Sequence, residues 1–143
     1  MALVFDSGDS VTGKGREALM NGMLLCAQGQ GVTSGLAVTE KGGGADMSVD
    51  VAAGEWWAGN VWNNTFATTN VVIENGDAEN RFDLIYSDST GTISVVKGTA
   101  SASNPQIPSV PANSIPLAAV FVEANESTSI VNADITDARC ELI

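Results

Sequence analysis

Few residues in this 143-residue chain are of a type that does chemistry, and their spacing seldom suits it. Gly8-Asp-Ser-Val-Thr-Gly13-Lys14 has the G-x-x-x-x-G-K spacing of a loop whose backbone amides cradle phosphate while the lysine reaches the terminal one. However, Gly15 stands where a serine or threonine would hold magnesium, and no alternation of strand and helix follows. Residues 8–14 therefore read as an N-terminal loop, and no nucleotide cofactor is expected. Histidine is absent, which removes the commonest general base and the commonest metal ligand together. The two cysteines, Cys26 and Cys140, fall short of the four that an all-thiolate zinc site needs. Asp6, Asp9, Asp46 and Asp50 are hard oxygen donors of the kind calcium takes, but none sits in an EF-hand pattern. In a chain of net charge −11, such acidic loops read as solvated. The chain is expected to be a non-enzyme with no metal and no cofactor.

Two other groups stand out. Trp56, Trp57 and Trp62, with Phe66, form an aromatic cluster. Indole rings fill β-cores, anchor interfaces and make platforms for sugars. Neighbours along a strand face opposite ways, so one of Trp56 and Trp57 should pack inward while the other faces a partner. Core or interface is the favoured reading, and a glycan site is the alternative. Arg81-Phe-Asp83 and Asp137-Ala-Arg139 each set a cation and an anion two residues apart, on one strand face. Nothing beside them marks an acid or base for catalysis. They are expected to make a bidentate ion pair holding the C-terminus onto the Arg81 strand, within or between subunits.

Composition narrows the class. A hydrophobic content of 44% is enough to build a core, so the chain should fold as one domain. Six Lys and Arg in total cannot supply a basic face, so neither nucleic acid nor an anionic membrane is an expected partner. The start of the chain, MALVFDSGDS, has no basic region and no long apolar run, so no secretory signal is expected. Without that signal, the acceptor patterns at Asn63-Asn-Thr65 and Asn125-Glu-Ser127 carry little weight, and Cys26 and Cys140 are expected to be unpaired thiols.

The elements that must position these residues are mainly strands. One helix is predicted over 16–28, where Leu19, Met20, Met23, Leu24 and Ala27 recur at spacings of three and four. Too short to be stable alone in water, it must pack on the sheet or dock on a neighbouring subunit through Leu19 and Met23. Beyond residue 32 the pattern is β. GLAVTE is one short strand, and MSVDVAAG alternates with Met47, Val49 and Val51 on one face. A segment from Glu55 to Val61 is broken at Gly59, and Thr68 to Ile73 is β-branched. Arg81 to Tyr86, the turn DSTG, and Thr92 to Lys97 read as a hairpin. All four prolines lie between Pro105 and Pro116; such a segment cannot be a central strand and suits a crossover between sheets. Leu117 to Glu123 is a buried strand, and a last short strand or turn ends at Asp137 and Arg139. The expected fold is all-β: an antiparallel β-sandwich or barrel-like module with a short N-terminal α-helix. Residues 1–31 form an N-terminal docking segment, and 32–143 form the β-domain, with a proline-rich crossover at 104–116.

The order of these elements resembles a β-module recurrent in tailed-phage virion structural proteins of the tail-fibre, baseplate and accessory capsid type. The matching stretches are GLAVTEKGGGADMSVDVAAGEWWAGN, RFDLI, KGTA with P-x-x-P-x-x-P, IPLAAVFVEA and ITDAR, and together they span most of the chain. The resemblance implies a non-enzymatic virion component, a homotrimer bound to other tail or capsid proteins, assembled in the host cytoplasm. The sequence ends a few residues after Asp-Ala-Arg139, so no receptor-binding extension is expected. That favours an assembly module, such as a tail-fibre base, a baseplate or adaptor component, or a capsid decoration protein, over host recognition. The alternative is a carbohydrate-binding adhesin module using surface tryptophans.

Overall fold

Among the described residues, short runs of alternating and β-branched residues become ten strands, and every strand pair is antiparallel. The structure is a computed structural model describing residues 28–142. Among these residues there is no α-helix, only a 3₁₀ turn at Asn132–Asp134, and the fold is all-β. All but the last residue of the helix expected over 16–28, with Leu19 and Met23, lies outside the described residues, as does the glycine-rich stretch at 8–14.

Three sheets share one core. The first joins β1 (Gly31–Gly35), β4 (Gly54–Ala58) and β5 (Val61–Thr65) in the order β1-β4-β5. The second joins β2 (Val38–Glu40), β3 (Ser48–Val51) and β6 (Thr68–Val72) in the order β2-β3-β6. The third runs β10-β9-β7-β8, from β7 (Arg81–Asp88), β8 (Ile93–Val96), β9 (Ser114–Val122) and β10 (Ile135–Asp137). The second and third sheets meet along both margins, β2 beside β10 and β6 beside β8. Val32 and Trp56 from the first sheet, Val49 and Val51 from the second, and Ile85, Leu117, Val120 and Val122 from the third pack into one cluster. Each such aliphatic side chain taken out of water contributes roughly 1.5–3 kcal/mol. The alternation predicted for β3 holds for its apolar face: Val49 and Val51 are buried and Met47 packs against the same core, but Ser48, expected on the opposite face, is buried as well.

The backbone departs from the expected elements in four places, each for a local reason. The strand expected over GLAVTE is split, because Gly35 (φ 67°) and Leu36 (φ 61°) are both left-handed and turn the chain between β1 and β2. Leu36 is buried, so its side chain sets the burial gained against this backbone cost. The segment from Glu55 to Val61 is a tight hairpin rather than a broken strand. Gly59 (φ 56°) and Asn60 (φ 62°) supply the two positive φ angles of a type I′ turn between β4 and β5. Pro116 lies inside β9, a central strand, which the missing amide was expected to forbid. It is tolerated because Leu117 bulges there: Ile85 pairs with Ala118 and Tyr86 with Pro116. Finally, the proline segment does not pass between sheets. β8 and β9 both pair with β7, so residues 97–113 carry the chain across β7 within the third sheet. The hairpin predicted at DSTG is present; Asp88 Oδ1 accepts from the amides of Thr90 (2.8 Å) and Thr92 (3.1 Å) and pins the turn.

The cysteines also differ from expectation. Cys140 is disulfide-bonded, and Cys26 is the only other cysteine in the sequence. Distance along the chain was a poor guide, because the C-terminal segment lies against β1. Val32 N donates to Cys140 O and Leu142 N to Val32 O, both at 2.7 Å.

Candidate functional site

The β4–β5 hairpin places the three tryptophans. β-strand alternation sends Trp56 inward, where it is 0% exposed and its Nε1 donates to Asp88 O at 3.0 Å. That bond satisfies the one polar atom of a buried indole and ties the first sheet to the end of β7. Trp57 points the other way and is 39% exposed, so the expectation that the pair divides between core and surface holds. Trp62 sits directly opposite Trp57 across the hairpin, which puts both rings on the outer face. Trp62 is 47% exposed, and Phe66, just beyond β5, is 90% exposed.

The hairpin lies in a run of sequence that carries no charge, although exposed Glu55 shares the outer strand face with Trp57. Residues 56–73 are 18 consecutive residues without a charged side chain, between Glu55 and Glu74. Among the described residues, six large hydrophobic side chains are exposed, and five of them (Trp57, Val61, Trp62, Phe66 and Val72) fall inside this stretch. Sequence reading found the aromatic members but missed Val61 and Val72. The available signal was the absence of charge across two strands of a strongly acidic chain. At the Phe66 end, Ser34, Glu55, Asn64, Thr65 and Phe66 line an open groove of about 490 Å³.

The ion pairs are both present, but each closes on itself rather than reaching across to the other. Arg81 is completely buried and spends all five N–H groups. Nε and Nη2 make a fork on Asp83 at 2.8 and 3.1 Å. Nη1 reaches Asn75 O at 2.9 Å and Asp77 Oδ2 at 3.1 Å, and Nη2 reaches Glu74 O at 2.6 Å. Burial acts to lower the Arg81 pKa, but the Asp83 carboxylate outweighs it and holds the guanidinium above its ordinary value. Asp83 Oδ1 also accepts from Gly98 N at 2.9 Å, so one buried pair fixes the 74–77 loop, β7 and the start of the crossover. Lys97 adds an exposed bridge to Glu74 and Asp77.

At the C-terminus, Arg139 forks onto Asp137 at 2.9 and 2.6 Å and donates Nη1 to Gly35 O at 2.7 Å. It thus pins the C-terminal segment to the end of β1. The Arg139 guanidinium holds the Asp137 carboxyl below its usual range. Asp46 and Asp50 are engaged locally: Asp46 binds Lys41 and Ser48, and Asp50 accepts from Gly42 N and Asn70 N. No cluster suited to a metal ion occurs among the described residues.

Comparison with protein-family models, with curated proteins and with solved structures finds no match to this chain.

Proposed function

We propose that this chain is a non-enzymatic structural protein of a tailed-virus particle that works by self-association. Within the particle it would be an assembly module of the tail-fibre base, baseplate, adaptor or capsid-decoration kind. The observation that carries the reading is the concentration of exposed Trp57, Val61, Trp62, Phe66 and Val72 in an uncharged stretch of a chain of net charge −11. Copies so acidic repel one another over most of their surface, and this stretch is where they can meet without stacking carboxylates. The element order that resembles virion β-modules supplies the biological setting. Two sheets meeting along both margins over a shared core fit the sandwich or barrel-like module of that resemblance. A disulfide at Cys140 suits a protein that ends up on a particle surface outside the cell.

The test is light scattering after size-exclusion chromatography, together with immunogold labelling of particles. Self-association and label on the particle are expected; a monomer at every concentration sinks the reading.

The groove beside Phe66 favours one second reading, a carbohydrate-binding module. An exposed ring flanked by the Glu55 carboxylate and the Asn64 amide could stack on a sugar face and bond its hydroxyls. A glycan array separates the two: binding abolished by Phe66→Ala supports the adhesin, and silence across the array removes it.

A further inference from the structure

The outer edge of β5 differs from every other sheet margin in the described residues. Among those margins, β1 is covered by the C-terminal segment through the hydrogen bonds of Val32 with Cys140 and Leu142. β2 lies beside β10, and β6 beside β8. β5 ends its sheet with no strand beyond it. Its sequence, VWNNT, contains no charge, no proline and no glycine, the devices that normally blunt an edge. Only one side chain on the strand caps its own backbone, Asn63 Nδ2 donating to Val61 O at 3.1 Å. The edge also lies in the middle of the exposed apolar stretch, with Val61 and Trp62 on the strand and Phe66 just after it.

We infer that β5 pairs antiparallel with β5 of a second copy, joining two three-stranded sheets into one of six strands about a two-fold axis. A single open edge complements itself only in this way, because a head-to-tail ring would need a second, different edge on each copy. The resemblance to virion modules implies three copies, whereas this geometry sets a two-fold contact. A two-fold axis perpendicular to the sheet keeps both Trp57–Trp62 pairs on one face. Backbone pairing then supplies register, and Val61, Trp62 and Phe66 supply apolar contact. No carboxylate lies on the strand itself, so two chains of net charge −11 can approach here.

The inference rests on the self-association reading, and the experiment separates their failures. Light scattering on the full chain is combined with hydrogen–deuterium exchange at low and high protein concentration. The expected result is a dimer whose β5 amides exchange about tenfold more slowly at high concentration, with the rest of the molecule unchanged. Trp62→Lys should weaken dimerisation about 30-fold, the size of an interface hot spot, and leave a folded monomer. If that variant does not fold, Val61→Lys tests the same edge. A trimer, or a dimer without slowed exchange in β5, overturns the edge pairing while leaving self-association intact. A monomer throughout overturns both.

Discussion

Replacing Arg81 with alanine should be among the most damaging single changes to this fold. The guanidinium is fully buried, and its five N–H groups are divided among the Asp83 carboxylate, Asp77, and the carbonyls of Glu74 and Asn75. Truncation strands the Asp83 carboxylate, itself only 1% exposed, with the Gly98 amide as its remaining partner. Removing one member of a buried pair costs about 3–5 kcal/mol, because the partner charge stays desolvated without compensation. Against a typical total stability of about 5–15 kcal/mol, that is a large share. For a domain of this size it corresponds to a fall in Tm of roughly 10–15 °C. Urea unfolding followed by tryptophan fluorescence reads the change as a lower midpoint at constant slope. Arg81→Lys keeps the charge but loses the fork, and should fall between wild type and alanine. Replacing both partners with apolar residues, Arg81→Met with Asp83→Leu, should cost less than Arg81→Ala alone, because no charge is left behind. A loss below about 1 kcal/mol for Arg81→Ala, or a double variant weaker than the single one, refutes the account.

Three further outcomes follow from the same contacts. Reducing the Cys140 disulfide should lower stability by about 2–4 kcal/mol, read as a drop in Tm with dithiothreitol in the buffer; an unchanged Tm contradicts it. Glu126, which accepts from Thr128 Oγ1 and from the amides of Thr128, Ser129 and Ser127, is held down to about 2. Asp46, Asp77 and Asp137 are lowered in the same direction by Lys41, Lys97 and Arg139. Depressed carboxyls stabilise fully above their unfolded values and lose that contribution as pH falls through the folded ones. Urea midpoints should therefore hold from pH 7 to about 5 and fall towards pH 2, less steeply in Glu126→Gln. Gly59→Val forces a β-branched residue to a φ of 56°, with its Cβ 2.9 Å from Asn113 Cβ. It should cost about 1–3 kcal/mol, and a neutral result in thermal melts contradicts the type I′ turn.

Much of the fold was legible because alternation and turn chemistry are local. The β3 face, the DSTG hairpin and the inward–outward division of Trp56 and Trp57 all followed from spacing of two and from turn residues. The misreadings came where tertiary context outvoted a local rule. Proline cannot donate to a ladder, yet a bulge at Leu117 lets Pro116 sit in a central strand. Leucine rarely adopts a left-handed backbone, yet burial of Leu36 accompanies that geometry and splits a run that reads as one strand. Sequence distance between the cysteines hid the disulfide at Cys140, because the pairing of the C-terminal segment with β1 is invisible locally. The spacing of Arg81 and Asp83 announced an ion pair, but its backbone partners Glu74 and Asn75 carry no side-chain signal. Edge and centre are likewise not local properties, so the openness of β5 could be read only from the order of strands.

The buried Arg81 pair and the exposed hairpin sit at opposite ends of β7. Arg81 opens the strand, and Asp88, whose carbonyl receives the Trp56 indole, closes it. Seven residue steps of about 3.3 Å put the two sites roughly 23 Å apart, beyond the range at which substitutions normally couple. Stability and association should therefore be separable. Arg81→Ala should lower the unfolding midpoint while leaving the dimerisation constant of the still-folded protein unchanged. Trp62→Lys should do the reverse. Their combination should match the sum of the two single effects on unfolding to within about 0.5 kcal/mol. A larger coupling would mean that the pair and the β5 edge belong to one cooperative interface, with Arg81 holding the surface through which copies meet.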